Sequence, residues 1–165
     1  MDQVLEHVVD PLETLQSIAT ILKSPTLGQL GGRLVLSVPN PNALGRYFFQ
    51  RRWLGWHLPY HRHFYTRKSI SILAEQSGFI VETIQSATKS QFLLAGWVFL
   101  FCAGKKGKKS ADVFQTWGRF DSQIQKRWDI ALYFLLEKIR LLALPMRMAD
   151  LMGIGDWNLI ILRKR

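Results

Sequence analysis

The sequence predicts an α/β fold with about three strands, and three observations support this class. A helical segment at 66–77 ends at Gly78 and runs directly into an apolar, strand-like segment at 79–85, which is the tight helix-to-strand joint of a parallel α/β sheet. Two more short apolar segments, at 33–38 and 157–165, have the composition of strands. The segment at 33–38 is almost continuously apolar, as is typical of a strand covered on both faces.

Two helices are predicted from their end signals and their periodicity. Asp10 is a plausible N-cap, Pro11 follows at the first helical position, and Glu13 lies in the first turn. Thr66 can cap the second helix, and Gly78 suits its left-handed end. The apolar residues at helical spacing, which we expect to be buried, are Leu12, Leu15, Ile18, Ala19 and Leu22 in the first helix and Ile70, Leu73 and Ala74 in the second.

We expect residues 1–165 to form one domain that contains a helical insertion at 88–152. The insertion has two apolar stretches, 90–109 and 130–152. The first of them ends in a lysine-rich turn that separates it from the second. Its longest uncharged run, 90–104, is shorter than the roughly 20 residues that a spanning helix needs. The two stretches therefore predict peripheral contact with a membrane surface, or else an ordinary helical cap whose apolar sides pack together.

The net charge of +10 is unevenly distributed. Residues 1–32 sum to −3 and the remaining residues to +13, and no acid occurs between Glu13 and Glu75. This pattern favours an anionic partner, which could be a small molecule, a lipid headgroup or nucleic acid, although a solvated basic surface would look the same. Nucleic acid is the weakest of these partners because the sequence has no recognition motif of its own.

Cysteine content and the N-terminal residues bear on the compartment. The single cysteine, Cys102, excludes a disulfide scaffold and a cysteine-based zinc site. The acidic N-terminal segment lacks the basic and apolar regions of a signal peptide. We therefore expect a cytoplasmic protein, with the inner face of a membrane as the alternative location.

Several motifs resemble one family. The stretch DQVLEHVVDPLETLQSIATILK, followed by GGRLVLSVPNPN, resembles the C-terminal half of class I S-adenosylmethionine-dependent methyltransferases of the type 11/23-like group, which includes the ubiquinone-biosynthesis O-methyltransferases. The pattern W…W…P…H…HF and the late GIGDWNLIILRK are similar to the same group. The likeness covers residues 1–87 and 150–165. It implies the C-terminal part of a Rossmann-like methyltransferase sheet, S-adenosyl-L-methionine as cofactor, and methyl transfer to a small-molecule acceptor, anionic or lipid-like.

The sequence departs from the family in what it lacks. The family's Gly-rich loop cradles the methionine part of the cofactor, and an acid after the second strand holds the ribose. No G-x-G-x-x-G occurs in the chain. We therefore expect that an N-terminal half is missing and that the chain is inactive alone. The alternative is a non-catalytic module that binds a membrane surface or nucleic acid through its basic face.

The resemblance assigns cofactor contact to Asp2 and to its neighbour Gln3. Some ubiquinone-pathway relatives hold magnesium through an acid at the position of Gln3 together with the Glu and His that match Glu6 and His7. Magnesium prefers charged oxygen ligands, so the replacement of that acid by Gln3 argues against metal. Glu6 and His7 could instead cap and orient the helix that follows.

The segment WHLPYHRHFY at 56–65 concentrates histidine and aromatic residues. A metal site would need converging imidazoles from His57, His61 and His63. Pro59 makes that geometry unreliable, and no acid lies nearby in sequence. The sequence therefore predicts no metal site.

The resemblance implies instead that this loop covers the transferable methyl group and builds the acceptor pocket. Alignment and water exclusion supply much of the acceleration of methyl transfer, and histidine is a suitable general base. His61 is the first candidate for the base and His63 the second. The predicted substrate-binding residues are Asn40, Trp53, Trp56, Tyr60 and Tyr65. Aromatic packing with surface histidines is the alternative interpretation.

Overall fold

The computed structural model describes residues 1–88 and 143–165 and confirms the α/β class with about three strands. The helices are α1 (Pro11–Ile21), α2 (Leu44–Phe49), α3 (Arg67–Gln76) and α4 (Ala143–Leu151), the strands are β1 (Arg33–Pro39), β2 (Phe79–Ala87) and β3 (Trp157–Lys164), and two 3-10 turns lie at Gln50–Arg52 and Leu54–Trp56. The predicted insertion at 88–152 lies outside the described residues apart from its ends, as does the whole predicted membrane segment at 90–109.

The three strands form one sheet in the order β1-β3-β2, with β3 antiparallel to both neighbours. The predicted parallel sheet is therefore wrong for the strand pairs that are hydrogen-bonded. β1 and β2 do run in the same direction, as the helix-Gly78-strand joint predicts, but β3 lies between them. β3 begins beside the C-terminal ends of β1 and β2, and it therefore runs antiparallel to both.

The first residues of the chain lie along the free edge of β1. Asp2 and Ser37 form a parallel bridge. The backbone N–H of Gln3 donates to the carbonyl of Ser37 at 3.2 Å, and the N–H of Ser37 donates to the carbonyl of Met1 at 3.0 Å. This pairing places residues 2–8 beside the C-terminal end of β1, which is the end where ligands of α/β sheets bind.

The core lies on one face of the sheet, between the strands and helices α1 and α3. Its fully buried side chains are Leu5, Leu15, Leu36, Val38, Ile70, Ala74, Phe79, Ile160 and Leu162. Each large apolar side chain of this kind contributes about 1.5–3 kcal/mol when buried. In the first helix Leu15 is buried, whereas Ile18, Ala19 and Leu22 pack against the core at its margin.

β1 is not covered on both faces by the described residues, contrary to the prediction from its composition. Its burial alternates along the strand, so that Leu34 and Leu36 are buried while Val35 is 48% exposed. Leu159 and Ile80 are also exposed, at 38% and 49%. Alternation arises because side chains of a strand point to opposite faces, and the core that α1 and α3 cover lies on one of these faces.

The predicted caps are confirmed. The side chain of Asp10 accepts from the N–H of Glu13 at 2.9 Å, and that of Thr66 accepts from the N–H of Ser69 at 3.1 Å. Gly78 has φ +84°, a left-handed conformation that glycine adopts without steric cost. Among the helices of residues 1–88 and 143–165, none has the length and apolar character needed to cross a bilayer.

Candidate functional site

The loop after β1 folds back onto the segment that precedes α1. The backbone N–H groups of Arg62 and His63 both donate to the carbonyl of Glu6, at 2.8 and 3.2 Å. The Tyr65 hydroxyl donates to the carbonyl of Leu5 at 3.2 Å. These bonds hold residues 57–65 against residues 5–8, at the edge of the sheet where α1 begins.

Two histidine side chains also bridge this junction, by which we mean the contact of residues 57–65 with residues 5–8. The Nδ1–H of His7 donates to the carbonyl of Tyr60 at 3.0 Å, and the Nε2–H of His63 donates to the carbonyl of Val8 at 3.1 Å. A carbonyl oxygen can only accept, so these bonds fix which nitrogen of each neutral ring carries the proton. The neutral ring of His7 therefore directs its Nδ1–H toward the loop and has its lone pair on Nε2.

A tight turn at 57–61 places two further imidazoles together. The N–H groups of Tyr60 and His61 donate to the carbonyl of His57 at 3.0 and 3.1 Å. His57 lies in the left-handed region with φ 34° and ψ 41°, a conformation that histidine adopts more often than most residues but that still costs energy. The turn replaces the extended geometry in which His57, His61 and His63 would share a face.

The structure therefore groups His57 and His61 with His7 rather than with His63. The ring centroids of His7 and His61 are 4.7 Å apart and those of His57 and His61 are 4.9 Å apart. One ring nitrogen of each of the three residues lies within 4.8 Å of the other two. His63 instead stacks on Tyr65 at a centroid distance of 6.0 Å.

The contact of His61 with Gly55 fixes the orientation of the buried ring. Its Nδ1–H donates to the carbonyl of Gly55 at 2.8 Å, which leaves Nε2 with the lone pair. A Cβ at position 55 would overlap the indole of Trp53, so only glycine lets this backbone pass between the indole and the imidazole.

Glu6 is fully buried beside this cluster. Its Oε1 lies 3.9 Å from Nε2 of His61, and neither carboxylate oxygen has a hydrogen-bond donor within the described part of the chain. Burial raises the pKa of Glu6, and the nearby His7 partly offsets this effect while Asp2 adds to it. Glu6 and His7 do not cap α1, since Asp10 does so.

Burial also controls the protonation of the neighbouring groups. The pKa of His61 is lowered to about 4, mainly by burial and to a lesser extent by the nearby His7 and His57, while the bond to Gly55 opposes this shift. The pKa of His57 is lowered for the same main reason. The pKa of Tyr65 is raised by burial and by Glu6. His61 is therefore neutral at pH 7.

The two predicted tryptophans form an aromatic wall beside the cluster. Trp53 and Trp56 meet edge to face at 5.3 Å, and Trp56 makes the same kind of contact with Phe64 at 5.0 Å. The guanidinium of Arg46 lies 5.8 Å from the ring of Trp56. Trp53 is 3% exposed, so of the two rings only Trp56 reaches the surface.

A small cleft behind this wall contains a carboxylate that sequence reasoning missed. The cleft is lined by Phe49, Trp53, Leu54, Gly55, Asp156 and Trp157. Asp156 is buried, accepts from Nε1 of Trp53 at 3.5 Å, and has a pKa raised to about 6, mainly by burial. The sequence around Asp156 does not predict that this carboxylate is buried, because its partner Trp53 is more than 100 residues away in sequence.

Asn40 is buried at the turn that follows β1. Its Nδ2 donates to the carbonyls of Gly155 and Gly153 at 2.7 and 3.0 Å, and its Oδ1 accepts from the N–H of Asn42 at 3.0 Å. The side chain thus joins the turn after β1 to the turn before β3. A substrate contact of Asn40 stays a prediction.

The other predicted site residues occupy different depths. Tyr60 is 55% exposed and packs against His57, whereas Tyr65 is buried with its hydroxyl on Leu5. Asp2 is exposed, and its carboxylate accepts from the hydroxyl of Ser37. Together these residues surround the junction at the end of β1.

Gln3 lies at the same edge and has an orphan polar atom. Its backbone is in the left-handed region with φ 54°, and its Nε2 donates to the hydroxyl of Ser37 at 2.9 Å. Its buried Oε1 has no hydrogen-bond partner within residues 1–88 and 143–165. A buried carbonyl without a donor is costly, which suits an oxygen that binds a ligand.

The comparisons with known proteins define the class. A family model described as a methyltransferase domain matches residues 1–84, just over half of the 165 residues. The chain therefore belongs to this methyltransferase family, and the resemblance to a class I methyltransferase is confirmed. A search of curated proteins found no match. The relation to the ubiquinone-biosynthesis O-methyltransferases stays a prediction.

Proposed function

We propose that this chain is the acceptor-binding part of a methyltransferase that transfers a methyl group from S-adenosylmethionine to a small acceptor. The observation that carries the proposal is the junction of residues 57–65 with residues 5–8. The junction lies at the C-terminal end of β1, where ligands of α/β sheets bind. All of it falls within the stretch that matches the family.

Asp2 and Gln3 would hold the edge of the cofactor. S-adenosylmethionine, when bound, supplies an electrophilic methyl group on a positively charged sulfonium. The exposed carboxylate of Asp2 offers a negative charge, and the orphan Oε1 of Gln3 offers an acceptor for an N–H or O–H group. Both residue types therefore fit a cationic ligand that carries amino and hydroxyl groups.

The acceptor would lie against the outer side of the junction, with Trp56 and Tyr60 as its apolar wall. The neighbouring Arg62 is exposed, and no acid occurs between Glu13 and Glu75. A local excess of positive charge attracts anionic ligands. These features support an anionic acceptor with an apolar or aromatic part.

His61 is the proposed base, and His63 is the alternative. Nε2 of His61 keeps a lone pair because Nδ1–H is bonded to Gly55. A pKa of about 4 makes it a weak base, so alignment of the acceptor and exclusion of water would supply most of the acceleration. His63 has Nε2 bonded to Val8 and would act through Nδ1.

We further propose that full cofactor affinity needs the family's Gly-rich loop from additional polypeptide, because this sequence contains no such motif. The test is titration with S-adenosylmethionine by calorimetry. The 165-residue chain and the longest product that its gene encodes are compared. We expect the longer product to bind more tightly.

A matched pair of variants tests the assigned contact. Gln3→Asn shortens the amide but keeps a residue that tolerates positive φ, and Gln16→Asn makes the same change on an exposed face of α1. We expect the first to weaken binding and the second to leave it unchanged. Failure of the longest gene product to bind S-adenosylmethionine would refute the proposed function.

A second candidate function concerns α4, whose packing exposes an apolar stripe. Met146 and Ala149 are buried, whereas Leu144, Met148 and Leu151 are 71%, 56% and 89% exposed. Their spacing of four and three residues places them on one helical face. The strong positive charge of the chain after residue 32 complements an anionic surface, so we propose that the stripe contacts an anionic membrane.

Co-sedimentation with vesicles tests this contact. We expect binding to vesicles that contain phosphatidylserine, weaker binding to neutral vesicles, and release by salt. Leu151→Ser should reduce binding, and Leu27→Ser, at an exposed leucine outside α4, should not. Equal binding of both variants would exclude α4 as the contact.

A further inference from the structure

Three histidines from two separate segments converge at the junction. Each of His7, His57 and His61 presents a ring nitrogen within 4.8 Å of the other two. We propose that these three imidazoles bind one divalent transition-metal ion of the zinc type. The site differs in ligands from a carboxylate-based magnesium site, since all three donors are nitrogens, which zinc, nickel and cobalt accept and magnesium does not favour.

The distances are compatible with this ion. Three nitrogens about 2.0–2.1 Å from a tetrahedral zinc lie about 3.4 Å from one another. Each nitrogen–nitrogen distance, at most 4.8 Å in the structure, therefore needs to shorten by about 1.4 Å at most. Side-chain rotation can supply such a movement for His7 and His57, which are only partly buried.

The hydrogen bonds of two of the rings already suit metal binding. Nδ1–H of His7 donates to the carbonyl of Tyr60, and Nδ1–H of His61 donates to the carbonyl of Gly55. Metal-binding histidines almost always donate their second ring N–H to such a carbonyl or carboxylate, which fixes the tautomer and the ring orientation. In both residues Nε2 is left as the nitrogen that carries the lone pair. With Nε2 of His61 bound to the ion, the base for methyl transfer would be Nδ1 of His63, the alternative base of the proposed function.

Glu6 is the second observation that points to a cation. Its carboxylate is fully buried, has no hydrogen-bond donor in the described ranges, and places Oε1 3.9 Å from Nε2 of His61. A buried carboxylate without a partner is strongly unfavourable. A dication bound by His61 would place positive charge beside this group and offset that cost.

The ion would also connect the two sides of the junction. His7 precedes α1, whereas His57 and His61 lie on the loop after β1. Three protein ligands leave a fourth tetrahedral position, as in zinc sites that also bind water or an oxygen of a ligand.

The test is titration of the chelator-treated protein with Zn²⁺ by calorimetry, and with Co²⁺ followed by visible absorption, both without S-adenosylmethionine. We expect one ion per chain. His7→Gln and His57→Gln should each weaken Zn²⁺ binding at least about tenfold. Because neither side chain is fully buried, these variants should fold, which circular dichroism checks.

His63→Gln is the matched control, because His63 is the fourth histidine of the chain and lies outside the cluster. It should leave Zn²⁺ binding unchanged. Glu6→Gln should weaken binding while the stoichiometry stays at one. Failure of the wild-type protein to bind Zn²⁺ or Co²⁺, or equal weakening by His63→Gln and His57→Gln, would overturn the proposal. Since no cofactor is present, neither result depends on methyl transfer.

Discussion

Replacement of Asp156 by Asn should stabilise the protein, and more so as the pH rises. Asp156 is 7% exposed, and its pKa is raised from 3.8 to about 6, mainly by burial. The neighbouring Asp150 adds to this effect, and the N–H of Trp53 opposes it. An asparagine can keep the bond from Trp53 through Oδ1 and carries no charge to bury.

The magnitude follows from the difference between the folded and unfolded proton affinities. Each tenfold difference in proton affinity, which is one pKa unit, corresponds to about 1.4 kcal/mol. The rise from 3.8 to about 6 therefore means that the ionised carboxylate destabilises the fold by about 3 kcal/mol at neutral pH. The folded state holds the proton more tightly than the unfolded chain. The stability that Asp156 contributes in its protonated form is therefore present below pH 3.8 and lost as the pH rises through about 6.

The assay is urea unfolding at pH values from 4 to 7.5, followed by tryptophan fluorescence and circular dichroism. We expect the stability advantage of Asp156→Asn to grow by about 2 kcal/mol over this range. Asp10→Asn is the matched control, because Asp10 is exposed and asparagine caps a helix about as well as aspartate. An advantage that does not change with pH would refute the reasoning.

Two further substitutions test the core and the junction, each by urea unfolding. Ile70→Ala, at a fully buried position of α3, should lower the free energy of unfolding by about 2–5 kcal/mol. Ile72→Ala, at a position that is 47% exposed, should lower it by under about 1 kcal/mol. Similar losses for the two variants would contradict the assigned buried face of α3. Tyr65→Phe removes the hydroxyl bonded to the carbonyl of Leu5 at 3.2 Å and should cost about 1 kcal/mol. Since Tyr65 is buried, an unchanged midpoint would show that this bond does not hold the junction.

The sequence alone determined the elements whose signals are local. Asp10 and Thr66 cap their helices because a side-chain oxygen next to free N–H groups needs no distant partner. Gly78 ends α3 for a similarly local reason. The family was also readable from motifs near the N-terminus, which match over residues 1–84.

Only the tertiary structure decided how these elements pair. The place of β3 between β1 and β2, and its antiparallel direction, depend on hydrogen bonds between strands far apart in sequence. One-sided burial of β1 likewise depends on which helices pack against it, which the composition of a short apolar strand does not specify.

The histidine site shows the same division. The sequence shows His57, His61 and His63 as neighbours, but a turn and a long-range contact bring together His57 and His61 and add His7, which lies at least 50 residues away in sequence. Asp156 and Trp53 meet across more than 100 residues. Caps and helix ends are settled within a few residues of backbone, whereas buried polar clusters form only when distant segments converge and exclude water together.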